Sequence, residues 1–166
     1  MKKPPLPILD IRPLSGIGPL RLGESRASAR LALAALGCPL ESSRETVDYF
    51  CNAFIQTECG PDERLWFIGI NAHIVRRFSV HFQGQDVFAL SAPELFALMA
   101  SADHSGPHEF NVYEYCFPRQ ILTLWDADTQ YDLRGGERRV VWAQVGVGNA
   151  AYAAAVAAIK KERGSQ

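Results

Sequence analysis

The chain has 166 residues, 48% of them hydrophobic and 21% charged, with 17 Lys and Arg against 18 Asp and Glu for a formal net charge of −1. This is the composition of one well-filled core and excludes a disordered segment. The charge balance gives no electrostatic reason to expect nucleic acid or an anionic membrane as partner. Its longest apolar stretches fall far below the ~20 residues of a membrane span. Pro4, Pro5 and Pro7 stand where the apolar run of an export signal would begin, so a cytoplasmic chain is expected. Cys38, Cys51, Cys59 and Cys116 show no C-x-x-C pair and no metal-like spacing with histidine. In a reducing compartment they read as small apolar residues.

Residues 1–15 read as a Pro-rich lead and 16–163 as a single α+β domain. A short strand is predicted around Leu20 to Leu22, between glycines, followed by a helix capped at Ser25 and running to about Leu36. Gly37 and Pro39 end it. Ala29, Ala32, Leu33 and Leu36 form its buried stripe, and Arg26 and Arg30, one turn apart, are assigned to the wet side. Phe54 to Glu58 and Leu65 to Ile70 read as paired strands joined by the turn Gly60-Pro61-Asp62-Glu63. Val75 to Phe82 alternates, with Phe78, Val80 and Phe82 on one face.

Ser91-Ala92-Pro93-Glu94 is a capping box, and it opens a helix with Leu95, Leu98, Met99 and Ala102 as its stripe. Ser105-Gly106-Pro107 closes that helix. Phe110 to Phe117 and Gln120 to Asp126 read as strands, Asp126 to Glu137 as a loop turning at Gly135-Gly136, and Arg139 to Val147 as the last strand. Asn149 caps a final helix striped by Tyr152, Val156 and Ile159. The order implies antiparallel sheet with about three helices packed on one face. An internal β-α-β-β-β duplication over 17–82 and 84–147 is an open alternative.

Gly146-Val147-Gly148-Asn149-Ala150-Ala151 matches G-x-G-x-x-A after an apolar strand, the setting of a dinucleotide fingerprint. Only 15 residues follow Ala151. They leave no room for the parallel strand and ribose-binding acid the motif needs, so the glycines read as a close-packed strand-to-helix turn. Gly16-Ile17-Gly18-Pro19 lacks the Lys-Ser/Thr of a phosphate loop. His104 and His108 have a ligand-like spacing, but Gly106-Pro107 between them breaks any helix that would aim both at a metal. No metal, cofactor or catalytic residue is assigned.

Asp126, Asp128 and Asp132 crowd the predicted loop beside Trp125 and Tyr131 without the pattern of a Ca²⁺ loop. Acidic side chains flanking aromatics suit docking onto a basic protein surface, with Asp62 and Glu63 as further rim. Trp66, Trp125 and Trp142 fall within strands, where core is the commoner fate. If an aromatic patch is exposed, it should involve these or Tyr113 and Tyr115.

Gly18-Pro19-Leu20-Arg21-Leu22-Gly23-Glu24-Ser25-Arg26 leads into a helix closing at Leu36-Gly37, and Phe82-Gln83-Gly84-Gln85-Asp86-Val87-Phe88 leads into Ser91-Ala92-Pro93-Glu94-Leu95. With the terminal Val145-Gly146-Val147-Gly148, this order resembles small bacterial immunity proteins that guard against polymorphic toxins delivered by contact-dependent or type VI secretion. The resemblance implies a stoichiometric inhibitor that covers a cognate toxin's active site, with no catalytic residue of its own. The competing expectation is a small enzyme or ligand-binding domain whose His73, His81 and Asp126 meet in a pocket between sheet and helices.

Overall fold

Two antiparallel meanders meet side by side in the larger of two sheets, in a computed structural model that describes residues 3–131 and 138–164. The elements run β1 (Ile8–Arg12), β2 (Gly16–Ile17), β3 (Leu20–Arg21), α1 (Arg26–Ala35), β4 (Leu40–Arg44), β5 (Val47–Phe50), β6 (Ile55–Cys59) and β7 (Leu65–Asn71). After a 3₁₀ turn at Ala72–Arg76 come β8 (Ser79–Phe82), β9 (Gln85–Asp86), α2 (Ala92–Asp103), β10 (Glu114–Phe117), β11 (Leu122–Tyr131), β12 (Arg138–Gly148) and α3 (Ala150–Gly164). Among the described residues the strands form a five-stranded sheet, β3-β2-β1-β8-β9, and a seven-stranded sheet, β10-β11-β12-β7-β6-β5-β4. All pairs are antiparallel except β1 with β8. The class is α+β.

The same order occurs twice. The hairpin β2–β3 feeds the capped helix α1 and the meander β4–β7; the hairpin β8–β9 feeds α2 and the meander β10–β12. The caps form as the sequence predicts. Ser25 accepts the Ser28 amide at 3.1 Å, and Ser91 and Glu94 exchange bonds at 3.3 and 3.1 Å. Asn149 accepts the Tyr152 amide at 3.0 Å.

Cross-strand register sorts the large sheet into two faces, because paired residues share a side. Phe50, Ile55, Ile68, Ile70, Val145, Val147, Leu122, Leu124 and Phe117 line the inner face and are buried. Ala29 and Leu33 of α1, Leu95 and Met99 of α2, and the small sheet close over it. Each such aliphatic or aromatic side chain, once fully buried, stabilises by about 1.5–3 kcal/mol.

The third helix lies on the other face, so the helices do not share one side. On that face a Cβ at Gly146 would come within 2.6 Å of the Phe67 ring. The bare backbone therefore seats Phe67, and Tyr152 of α3 stacks on it with centroids 4.6 Å apart. Gly148 is as tightly placed, since a Cβ there would come within 2.5 Å of the Tyr152 ring.

Several sequence expectations fail locally. The lead 1–15 contains β1, with Leu9 and Ile11 buried and a parallel register on β8; three prolines mask a strand that begins just after them. Val75 to Phe82 is strand only from Ser79. The Asn71 side chain accepts the His73 amide at 2.9 Å and starts a 3₁₀ turn first. Strand β10 starts at Glu114, not Phe110. Residues 127–131 of the loop predicted from Asp126 to Glu137 are ladder instead, continuing β11 in register with β12, while 132–137 lie outside the described residues. Aspartate is a poor strand former, yet the cross-strand pairs Ala127 with Trp142 and Thr129 with Val140 extend the ribbon. The predicted turn at Gly135-Gly136 lies outside the described residues.

Candidate functional site

Register places four side chains in one row across the outer face: Glu114 on β10, Trp125 on β11, Gln144 on β12 and Asn71 on β7. Helix α3 crosses the adjacent part of this face, from Tyr152 over Phe67 to Lys160, whose ammonium lies 3.5 Å from Glu114. The row beside it stays open. Trp125 is 51% exposed in mid-strand, where its backbone is fixed on both sides. At the same end Tyr113 is 75% exposed, and Phe110 and Val112 are also exposed. Trp66 is half-buried, Trp142 is buried with its indole N–H donating 3.0 Å to the Ala92 carbonyl, and Tyr115 is half-buried.

Asp126 and Asp128 follow this tryptophan along β11, both exposed. Asp126 has φ 55°, a left-handed conformation in which aspartate is tolerated better than most residues. Its amide donates to the Tyr113 carbonyl at 2.8 Å, so the kink stays tied to the segment before β10. Asp128 accepts the Thr129 amide at 2.7 Å. The backbone of Tyr131 ends β11 opposite Arg138, and Asp132 lies outside the described residues.

Asp62 and Glu63 do not join this cluster. They form the β6–β7 turn, before Leu65, whereas the Trp125 row meets β7 at Asn71. Six strand residues separate those ends by about 20 Å. Asp62 accepts the Arg64 amide at 3.1 Å, and Glu63 faces Arg26 at 3.8 Å. Their roles are local.

A second cluster escaped the sequence reading. Asp103, buried at the end of α2, accepts the amides of Gln120 at 2.6 Å and Arg119 at 3.2 Å and the Ser105 hydroxyl. Ser105 Oγ also meets His108 Nε2 at 2.6 Å, and His108 Nδ1 meets the Tyr115 hydroxyl. With the serine proton on Asp103, only one neutral tautomer completes the chain: Nε2–H donates to Ser105 and Nδ1 accepts from Tyr115. This order leaves Ser105 without a base and makes it a poor nucleophile. Burial pushes the Asp103 carboxyl up, but the Ser105 hydroxyl and the two amides outweigh it and hold the carboxyl below its usual range. These bonds tie Ser105 and His108 to the β10–β11 turn and to Tyr115 of β10. The buried stripe Ala92, Leu95, Phe96, Met99 runs on to Asp103, a signal that could have found it.

Arg26 and Arg30 are not simply wet. Both grip Asp48, which alternates with Phe50 on the inner face and is buried. Arg26 donates from Nη2 and Nε at 2.7 and 3.1 Å, Arg30 from Nε and Nη2 at 2.8 and 3.0 Å, and Ser43 from its hydroxyl at 2.7 Å. Burial alone would raise the Asp48 carboxyl; the bonds from Arg30, Arg26 and Ser43 hold it far below the usual carboxylate range. Elsewhere on the outer side, burial pushes the Glu58 carboxyl up and the Trp66 indole draws it part of the way back. Burial beside Glu58 pushes the Tyr152 phenol up to about 12.

The groups proposed for a dispersed active site keep separate company. His73 stacks on Phe54, His81 bonds Ser79 at 2.8 Å, and Asp126 is held against Tyr113. His104 is an exposed left-handed helix cap, while His108 turns inward. Among the described residues no three His, Cys, Asp or Glu side chains gather as metal ligands, and no helix is long and apolar enough to cross a membrane. The expectation of four free thiols fails: Cys38 and Cys51 are disulfide-bonded, while Cys59 and Cys116 are free. The bond joins the end of α1 to the end of β5, segments that sequence spacing alone does not bring together.

The chain matches no family model, and no curated protein or solved structure is significantly similar to it. Function must be argued from the geometry.

Proposed function

We propose that the chain is an immunity protein, a stoichiometric inhibitor that binds a cognate bacterial toxin in the cytoplasm and covers its active site. The observation that carries this reading is Trp125. A large aromatic, half-exposed on a rigid strand and set in a row with Glu114 and Gln144, is suited to act as the anchor of a protein interface. Tyr113, Asp126 and Asp128 supply the aromatic and acidic rim around it. The buried carboxylate Asp103 spends its hydrogen-bonding capacity inside the fold, which favours binding over catalysis at this end.

The test is coexpression of the tagged chain with the product of the neighbouring reading frame. A stable one-to-one complex is expected, and Trp125→Ala should weaken it at least about tenfold while the variant melts like the parent. A parent chain that leaves that product fully active and unbound would defeat the reading.

A further inference from the structure

The Cys38–Cys51 bond sits in a more particular setting than a simple staple requires. Cys51, Asn52 and Ala53 are three consecutive non-glycine residues with φ of 53, 56 and 64°. Left-handed backbone is costly for each and is normally visited singly. Three constraints hold this turn. The disulfide ties it to Cys38. The Glu41 carboxylate accepts the amides of Asn52 and Ala53 at 2.9 and 3.0 Å. Arg77 donates to Cys51 Sγ at 3.2 Å and to the Gly37 carbonyl at 3.0 Å, bridging both ends of the bond. Glu41 belongs to β4, the edge strand, whose five residues are all exposed and whose register on β5 is broken between Leu40 and Ser42. The strained turn and the exposed edge strand β4 are thus tied to the same cross-link.

We infer that Cys38–Cys51 is a redox latch: oxidised, it locks the turn at 51–53 and the β4 edge; reduced by a cellular dithiol, it lets both loosen while the rest of the sheet stays closed. The exchange balances as two sulfur displacements. A reductant thiolate attacks Cys38 Sγ, the disulfide breaks, and Cys51 leaves as a thiolate beside the Arg77 guanidinium, a cation of the kind that stabilises thiolates. The reductant's second thiolate then attacks its own sulfur in the mixed disulfide and releases Cys38. Two electrons pass to the chain, and the reductant ends as a disulfide. Both cysteines are buried, so attack follows local opening of the turn. This inference does not depend on the toxin-binding reading.

Thiol counting and hydrogen exchange on the full chain test it, with dithiothreitol as the reductant. Alkylation of the denatured, unreduced chain should label two thiols, Cys59 and Cys116, and all four after reduction. Amide exchange across 38–54 should then rise about ten- to a hundredfold, the range expected from opening a short cross-linked loop. Exchange across 66–70 and 144–147 should stay unchanged. The paired substitution Cys38→Ala, Cys51→Ala should give the fast pattern with or without reductant. If that variant does not fold, the reductant titration of the natural chain still decides. Four labelled thiols without reductant, equal exchange in both redox states, or a uniform rise across the whole sheet would each overturn the latch.

Discussion

Asp48 on β5 and Asp103 at the end of α2 are both buried carboxylates, and the fold satisfies them in opposite ways. Asp48 is held by two guanidinium forks from α1 and by Ser43. Asp103 is held by a hydroxyl and two backbone amides, with no cation in direct contact among its bonds. The first arrangement clamps a helix onto a sheet across 18 and 22 residues of chain. The second organises a loop and a turn beside the exposed Trp125. An ion pair serves where two rigid elements must be joined; neutral donors serve where irregular backbone has amides to spare.

Removing each carboxylate should separate the two designs. Asp48→Ala leaves two arginines facing each other without their anion, and should cost about 3–5 kcal/mol in urea denaturation. The same clamp sets the acid limb of the stability curve. Both carboxyls are depressed in the folded chain, so their contribution is complete above the unfolded value of ~3.9 and is lost as pH falls through the lower folded values. Below pH ~4, Asp48→Asn should flatten that limb more than Asp103→Asn, as read by melting temperature against pH. Equal slopes would mean the guanidinium forks add nothing over amides.

Asp103→Asn places an amino group against donors that need an acceptor, and should cost about 1–3 kcal/mol. It should also raise amide exchange at Arg119 and Gln120, an effect absent from Asp48 variants. Ser91→Ala removes only the α2 cap and should cost about 1 kcal/mol; an unshifted melt would place the start of that helix elsewhere. Asp126→Asn with Asp128→Lys should move stability by less than about 0.5 kcal/mol, because asparagine keeps the left-handed backbone at 126 and residue 128 is exposed. It should still slow association with the partner and weaken its salt dependence. A large loss of stability there would make that end structural.

Where a residue's local chemistry and its burial agreed, the sequence was readable. The capping box at Ser91 to Glu94, the cap at Asn149 and the alternation of Phe78, Val80 and Phe82 needed no tertiary information. Asp48 was unreadable because an aspartate beside Val47 and Tyr49 looks like a loop residue until Arg26 and Arg30 are brought across to it. Asp103 hid for the same reason, since its partners at Arg119 and Gln120 are amides, which carry no sequence signature. Of the residues expected to dock, Trp125, Asp126 and Asp128 are exposed along β11. Asp62 and Glu63 belong to the far end of β7, a separation set by strand length and invisible in composition.

None of the fifteen residues of α3 is buried. The helix rests on the Phe67–Tyr152 stack near its first turn and, eight residues later, on an exposed ion pair worth at most about 1 kcal/mol. Its contribution to the chain's endurance is therefore lopsided. Denaturant or heat should fray it while the sheet beneath still holds, so the helical far-ultraviolet signal should fall before amide protection across β7 and β12 is lost. The bare backbone at Gly146 is what keeps that stack tight: a methyl group there would meet the Phe67 ring at 2.6 Å and displace the surface on which Tyr152 rests.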